Sequence, residues 1–312
     1  MWLHTTGYNS EVTFVLLTNL NRSQIESDSG MLIPNNVRLA QMPLDDVSER
    51  IRTVLPLNFT IKNVKLGYKL CDYRPMLRLL MEPELQSYGI KFTHWGWTDL
   101  DMINGNIMDY AQYTYEDEDA IAFSPDSVSN GPLTIMKDNK VMNNKWIKVP
   151  FMADFLTRKK ATYIEEVFFN QVLKDDNITV NHNEKYGFDC SSRAKVIWYQ
   201  GKLKKWKATK GNHNCVLMHY GGGRTADSRR KKKFLIEQFS DYFSEGYYKN
   251  KDIGFAHDPY GYYYYFHANA THKPTIILHS HMNATTFEKH HDSTLKEVTT
   301  MLGQLFGLSW PN

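Results

Sequence analysis

Val12 to Thr18 (VTFVLLT) is a short β-branched and apolar run between polar flanks, and Val37 to Ala40 is a second, entered through the turn-forming Pro34-Asn35-Asn36. Both predict strands. Between Leu44 and Val54, apolar residues at 44, 47, 51 and 54 recur at helical spacing, and Pro75 to Leu85 predicts another helix with a proline in its first turn. Phe92 to Thr98 predicts an aromatic-rich strand. Further strands are predicted at Ala120 to Phe123, Leu133 to Met136, Val196 to Tyr199 and Val216 to Tyr220, with a helix over Ala161 to Leu173. This alternation predicts an α/β fold, a mixed sheet flanked by helices. Past Tyr220 the run Gly221-Gly222-Gly223-Arg224 interrupts the pattern, and Arg229 to Lys233 opens a helix-like segment reaching Phe243. The expected division is a main domain over 1–225 and a C-terminal appendage over 226–312.

Composition changes this picture little. The chain of 312 residues is long enough to bury a sizeable core, and 42% hydrophobic with 23% charged residues is an ordinary globular balance. A net charge of +3 lacks the basic footprint of a dedicated nucleic-acid binder, so no nucleic-acid partner is expected. Cys71, Cys190 and Cys215 are too few for a disulfide framework, although one pair has the option of bridging. No stretch has the length of a membrane span, and no basic-then-apolar leader follows Met1. N-x-S/T sequons at Asn21, Asn58, Asn177, Asn269 and Asn283 suit a secretory-pathway lumen such as the Golgi. The cytoplasmic face of a membrane stays open beside it.

The candidate chemistry starts at Asp99-Leu100-Asp101, directly after the strand-like KFTHWGWT. Side chains of an extended segment alternate, so D-x-D turns both carboxylates to one side, where two hard oxygen ligands converge. That suits Mn²⁺ or Mg²⁺ held jointly with a substrate diphosphate. Ahead of it lies Lys69-Leu70-Cys71-Asp72-Tyr73-Arg74-Pro75, and around it Trp95-Gly96-Trp97-Thr98-Asp99-Leu100-Asp101-Met102-Ile103-Asn104-Gly105-Asn106-Ile107.

This pair of motifs resembles a family of GT-A-type glycosyltransferases from polysaccharide-synthesis clusters, which carry K-L-C-D-[YF]-[KR]-P ahead of W-G-x-x-D-x-D-x-I-x-G-D-I. The likeness extends from about residue 12 to 224 and takes in Leu133 to Asn139, Glu165-Glu166, the hairpin-like VIWYQGKLKKW and Val216 to Arg224. It implies a GT-A-like fold and transfer of a sugar from a nucleotide-sugar donor, UDP-linked by preference, to a glycan or glycolipid hydroxyl. By the resemblance Lys69, Asp72, Arg74, Asp99 and Arg224 contact the donor, and Asp99, Asp101 and His219 hold the metal. Glu166 or Glu165 becomes the general base for the acceptor, since an inverting transfer needs a carboxylate beside the attacking hydroxyl. Read from the residues alone, Asp72 is an early-turn acid at a helix start, Glu165 and Glu166 are exposed helix glutamates, and His219 is a half-buried strand-end histidine.

The chain also departs from the family pattern. Met1 falls after the strand that begins those transferases, Gly131-Pro132 replaces a histidine, Gly105-Asn106 stands for Gly-Asp, and the basic residue after His219 comes late. These departures favour a rival, a degenerate transferase-like domain that binds glycans or a partner without turnover. A second rival is a metal-dependent hydrolase, because Thr275 to His281 ends an apolar strand in an H-x-H pair, His279 and His281. The run Tyr260 to Phe266 (YGYYYYF) is expected to be an aromatic strand packing the appendage on the main domain.

Overall fold

The structure is a computed structural model. It describes residues 2–54, 67–89, 91–111, 119–122, 128–129, 131–158, 161–178, 180–182, 186–189, 195–200, 202–206, 213–219, 253–257, 263–267, 275–279, 296, 299–300, 302 and 304. Helix and strand are mixed along the chain, as an α/β protein requires. Strand β1 (Phe14–Thr18) follows a short helix α1 (Trp2–Thr6) and pairs in parallel with β2 (Val37–Gln41). The crossover between them is α2 (Arg22–Ser29). Its start is fixed by a capping box, in which Asn21 accepts from the Gln24 amide while the Gln24 side chain takes the Asn21 N–H. Gly30 closes it at φ 66, a left-handed conformation that glycine adopts without strain. Helix α3 (Leu44–Val54) buries Val47 and Ile51, in keeping with the predicted periodicity.

The helix predicted from Pro75 is more broken than its sequence pattern suggests. Residues Gly67–Met76 form a 3-10 helix that contains Pro75, and α4 (Leu77–Leu80) and α5 (Glu82–Ser87) follow. Met81 carries the ladder between the last two, donating to Leu77 O at 2.9 Å and accepting from Leu85 N at 3.0 Å. The missing proline N–H removes a helical donor, which is why the regular helix starts only past it.

Strands β3 (His94–Thr98), β5 (Ala120–Ala122), β6 (Leu133–Lys137) and β7 (Val180–His182) make a four-stranded sheet in the order β3-β6-β5-β7. Strand β4 (Met102–Asn104) leaves that sheet and joins another. There it meets β11 (His213–His219), in a sheet ordered β14 (Thr275–His279), β13 (Tyr263–His267), β12 (Ile253–His257), β9 (Lys195–Tyr199), β10 (Lys202–Trp206), β11, β4, with β8 (Tyr186–Asp189) in parallel on β11. The hairpin β9 (Lys195–Tyr199) to β10 (Lys202–Trp206) turns at Gln200, φ 48. Strands β12 (Ile253–His257), β13 (Tyr263–His267) and β14 (Thr275–His279) come from beyond residue 225 and extend this sheet through β12 pairing with β9. The segment expected to form a helix up to Phe243 lies outside the described residues.

Among the described residues, two apolar cores flank the switch between sheets. One gathers Tyr73, Met76, Leu80, Trp97, Met136, Trp146 and Phe169 against the four-stranded sheet. The other gathers Trp2, Phe14, Val37, Met102, Ile107 and Tyr110 around α1, β1 and α6 (Ile107–Ala111). Trp97 belongs to the first and Met102 to the second, so Asp99, Leu100 and Asp101 occupy the turn between the cores. Three buried contacts pin the second core to the far side of that turn. The Asn104 N–H donates to Thr5 Oγ1 at 3.1 Å, Asn9 Nδ2 donates to Gly105 O at 3.0 Å, and the Ile107 N–H donates to Asn9 Oδ1 at 2.8 Å.

Gly96 is a close-approach position in β3. A Cβ there would sit inside the van der Waals shell of the Thr134 carbonyl oxygen and 2.9 Å from its carbon, on the backbone of the paired strand β6. Gly96→Ala is therefore expected to lose about 3 kcal/mol of stability, since backbone cannot step aside as a flexible side chain can. Urea unfolding measures this, and a loss below about 1 kcal/mol would mean that β3 and β6 separate without penalty.

Candidate functional site

Helices α7 (Lys140–Asn143) and α8 (Met152–Thr157) precede α9 (Phe168–Asp175), and the site is built where the 3-10 helix, the D-x-D turn and the segment before α9 converge. Arg74 is its centre. One arm of the guanidinium pairs with Asp99 Oδ1, and the other donates to Gly131 O at 2.9 Å and reaches Glu165 Oε1 at 3.3 Å. The two motifs singled out in the sequence are thus joined by an ion pair across 25 residues, and the acidic pair reaches the same guanidinium across 91.

Asp72 sits beneath this cluster at 0% exposure. Its Oδ1 accepts from the Thr162 N–H at 3.0 Å and the Ile164 N–H at 3.2 Å, and its Oδ2 accepts from Thr162 Oγ1 at 3.1 Å. A donor contact was expected of Asp72; the structure instead buries its carboxylate as an anchor for residues 162–164. That anchor also explains why α9 starts at Phe168 and not at Ala161. Asp72 captures amides on both sides of Tyr163, whose backbone is left-handed at φ 54, and a regular helix cannot run through such a residue.

The glutamates expected on an exposed helix face are divided by this turn. Glu165 is 1% exposed, and its Oε2 has no hydrogen-bond partner. Its backbone carbonyl accepts from Ser129 Oγ at 2.6 Å. Glu166 is exposed, and its carboxylate lies over Gly131, where a Cβ would collide with it and come 3.3 Å from Arg74 Nη1. The glycine noted as a departure from the transferase pattern makes room for both charges. A bulkier residue would push the flexible Glu166 carboxylate aside.

Burial pushes the Glu165 carboxyl up to about 7 from its ordinary 4.5, against the opposing pull of Arg74. Burial likewise pushes the half-buried Cys71 thiol up to about 11, which keeps it protonated near neutrality. For Glu165 the folded state holds its proton more tightly than the unfolded chain. Stability should therefore fall as pH rises from about 4.5 to about 7 and level off above, by on the order of 2–3 kcal/mol. Glu165→Gln should flatten that decline in urea titrations taken at several pH values. An unchanged slope would assign it to another group.

The other expected site residues divide by position. Asp101 is partly exposed at the head of β4. The register of β11 on β4 sets His219 opposite Met102, the neighbour of Asp101. Lys69 lies in the 3-10 helix, and the side chains of Lys69 and His219 fall outside the described residues, as does Arg224. Among the described side chains no three of His, Cys, Asp and Glu cluster closely enough to share a metal ion. His279 ends β14, at the opposite end of the strand order from β4, and His281 is outside the described residues. Among the described residues no helix is long and apolar enough to cross a membrane. Gly131 and Ser129 are contributors that residue chemistry alone did not single out, because a glycine and a serine in a loop carry no chemical signature.

Fold and site together define a mixed α/β protein with a buried arginine–carboxylate cluster beside a D-x-D turn. The chain belongs to DUF6625, a family of unknown function, whose profile matches residues 1–302. That match runs through β12, β13 and β14, so the family's shared region includes the strands beyond residue 225. No curated protein and no solved structure matches the chain.

Proposed function

We propose that this protein is a metal-dependent glycosyltransferase of GT-A-like architecture that moves a sugar from a nucleotide-sugar donor, UDP-linked by preference, to a hydroxyl of a glycan or glycolipid. The observation that carries this reading is the convergence on Arg74 of Asp99 from the D-x-D turn and Glu165 from the acidic pair. Residues that the transferase resemblance treats as parts of one site are neighbours in space.

A hard divalent ion is supported by the partly exposed Asp101 carboxylate and by the β4–β11 register, which sets His219 opposite Met102. Asp101 and His219 would hold Mn²⁺ or Mg²⁺, with Asp99 behind them fixed by Arg74. Such an ion neutralises charge on the departing nucleoside diphosphate. Glu166 is the better base, because it is exposed whereas Glu165 is sealed. It takes the proton of the acceptor hydroxyl as that oxygen bonds to the sugar's anomeric carbon and the bond to phosphate breaks. Glu165 acts through Arg74, whose guanidinium is shared between the two carboxylates. Arg224 and Lys69 are assigned to the donor phosphates by resemblance alone.

The engagement of Asp72 and Arg74 inside the protein favours a second reading, a transferase-like domain that binds glycans without turnover. One assay separates the two. The full chain is incubated with UDP- and GDP-sugars and Mn²⁺, and nucleoside diphosphate is measured. Release that stops with EDTA and returns with Mn²⁺ is expected. Sugar binding with no release from any donor would replace the transferase reading with the second one.

A further inference from the structure

The turn that carries the acidic pair also carries an exposed aromatic ring. The N–H groups of Glu166 and Val167 both donate to Tyr163 O at 3.2 Å, so residues 163–167 close a single turn. Ile164 and Glu165 point into the protein, at 0% and 1% exposure, while Tyr163, Glu166 and Val167 are exposed, Tyr163 at 40%. Tyr163 holds φ 54, which costs a non-glycine residue on the order of 1 kcal/mol or more. Asp72 maintains it from below by binding the amides of Thr162 and Ile164 on either side. A buried carboxylate thus fixes the backbone on both sides of a large, solvent-facing ring, three residues from an exposed carboxylate.

We infer that Tyr163 is the stacking face for the acceptor sugar, with Glu166 receiving a hydroxyl of the same pyranose. A pyranose has an apolar C–H face and a rim of hydroxyls, and the turn exposes an aromatic ring and a carboxylate three residues apart. The Cα atoms of the first and fourth residues of such a turn lie within about 7 Å, so both side chains leave the backbone from one place. An anionic or purely apolar ligand would leave the carboxylate without a partner. The inference rests on the transferase reading for the word acceptor, but its geometry does not depend on turnover.

The test uses the full chain, without donor, and saturation-transfer NMR with methyl β-D-glucopyranoside, methyl β-D-galactopyranoside and methyl α-D-mannopyranoside. Saturation of ring C–H protons of at least one glycoside is expected. Tyr163→Gly should weaken it about tenfold and Tyr163→Phe should preserve it, the loss expected for one aromatic contact. Glycine accepts the left-handed backbone without strain, so the first variant keeps its fold, which far-ultraviolet circular dichroism checks. Equal saturation in wild type and Tyr163→Gly, or none in wild type, overturns the inference. If binding at Tyr163 is found but no donor releases nucleoside diphosphate, the transferase reading fails and this one stands. If donor cleavage proceeds while Tyr163→Gly leaves sugar binding unchanged, the reverse holds.

Discussion

Asp72→Ala is expected to lose about 4 kcal/mol of folding stability, the largest loss of any single substitution near the cluster. The carboxylate is wholly buried and accepts from the Thr162 N–H, the Thr162 hydroxyl and the Ile164 N–H. Alanine leaves those donors without their acceptor, and each buried unsatisfied group costs about 1–3 kcal/mol. Removing a buried charge returns part of that sum, so the total stays below the sum of the separate losses. Asp72→Asn keeps one acceptor oxygen but turns an NH₂ toward the remaining donors, and should lose roughly half as much. Urea unfolding should show a lower midpoint at unchanged slope. A Asp72→Ala protein within about 1 kcal/mol of wild type would mean that the turn at Tyr163 holds its shape without the anchor.

The elements that local pattern announces formed where expected. Strands β1, β2, β3, β6 and β9 and helix α3 follow alternation or helical spacing to within a few residues, because each buries its apolar side against a nearby partner. Short elements divide: β5 lies on the predicted Ala120 to Phe123 run, whereas β4 was illegible. Strand β4 is three residues long and gains its identity only from β11, far along the chain, so nothing local marks it. Helix α9 starts late for a tertiary reason, the capture of the Thr162 and Ile164 amides by Asp72, which no window of sequence contains.

The site was legible as a set of residues and not as a set of roles. The D-x-D spacing singled out Asp99, and the family resemblance added Asp72, Arg74, Glu165 and Glu166; Arg74 pairs with Asp99 and Glu165, and Glu166 lies over the neighbouring Gly131. What separates an anchor from a surface carboxylate is burial, and adjacent acids with the same chemistry need not share it. Asp72 went under the turn, Glu165 was sealed beside Arg74, and Glu166 stayed outside.

The complementary expectation is that Asp101→Asn leaves stability within about 0.5 kcal/mol and lowers transfer by about 10³-fold or more. Asp101 sits in the turn just before β4 with a partly exposed side chain, and the adjoining core is held by Met102 and Ile103, both at 0% exposure, so the fold does not depend on its charge. The amide keeps the size and one acceptor oxygen but removes the negative charge that would hold a divalent ion. A tenfold rate loss corresponds to about 1.4 kcal/mol, so removing several kcal/mol of leaving-group stabilisation gives a loss of this size. Asp99 is an incomplete substitute, because its Oδ1 is paired with Arg74, which leaves at most Oδ2 for an ion. Excess Mn²⁺ should recover part of the activity of Asp101→Asn, since weaker binding is offset by concentration, while Asp72→Ala should show no such rescue. Full activity of Asp101→Asn in the presence of EDTA would remove Asp101 from the metal site, and with it the metal-dependent reading of the D-x-D turn.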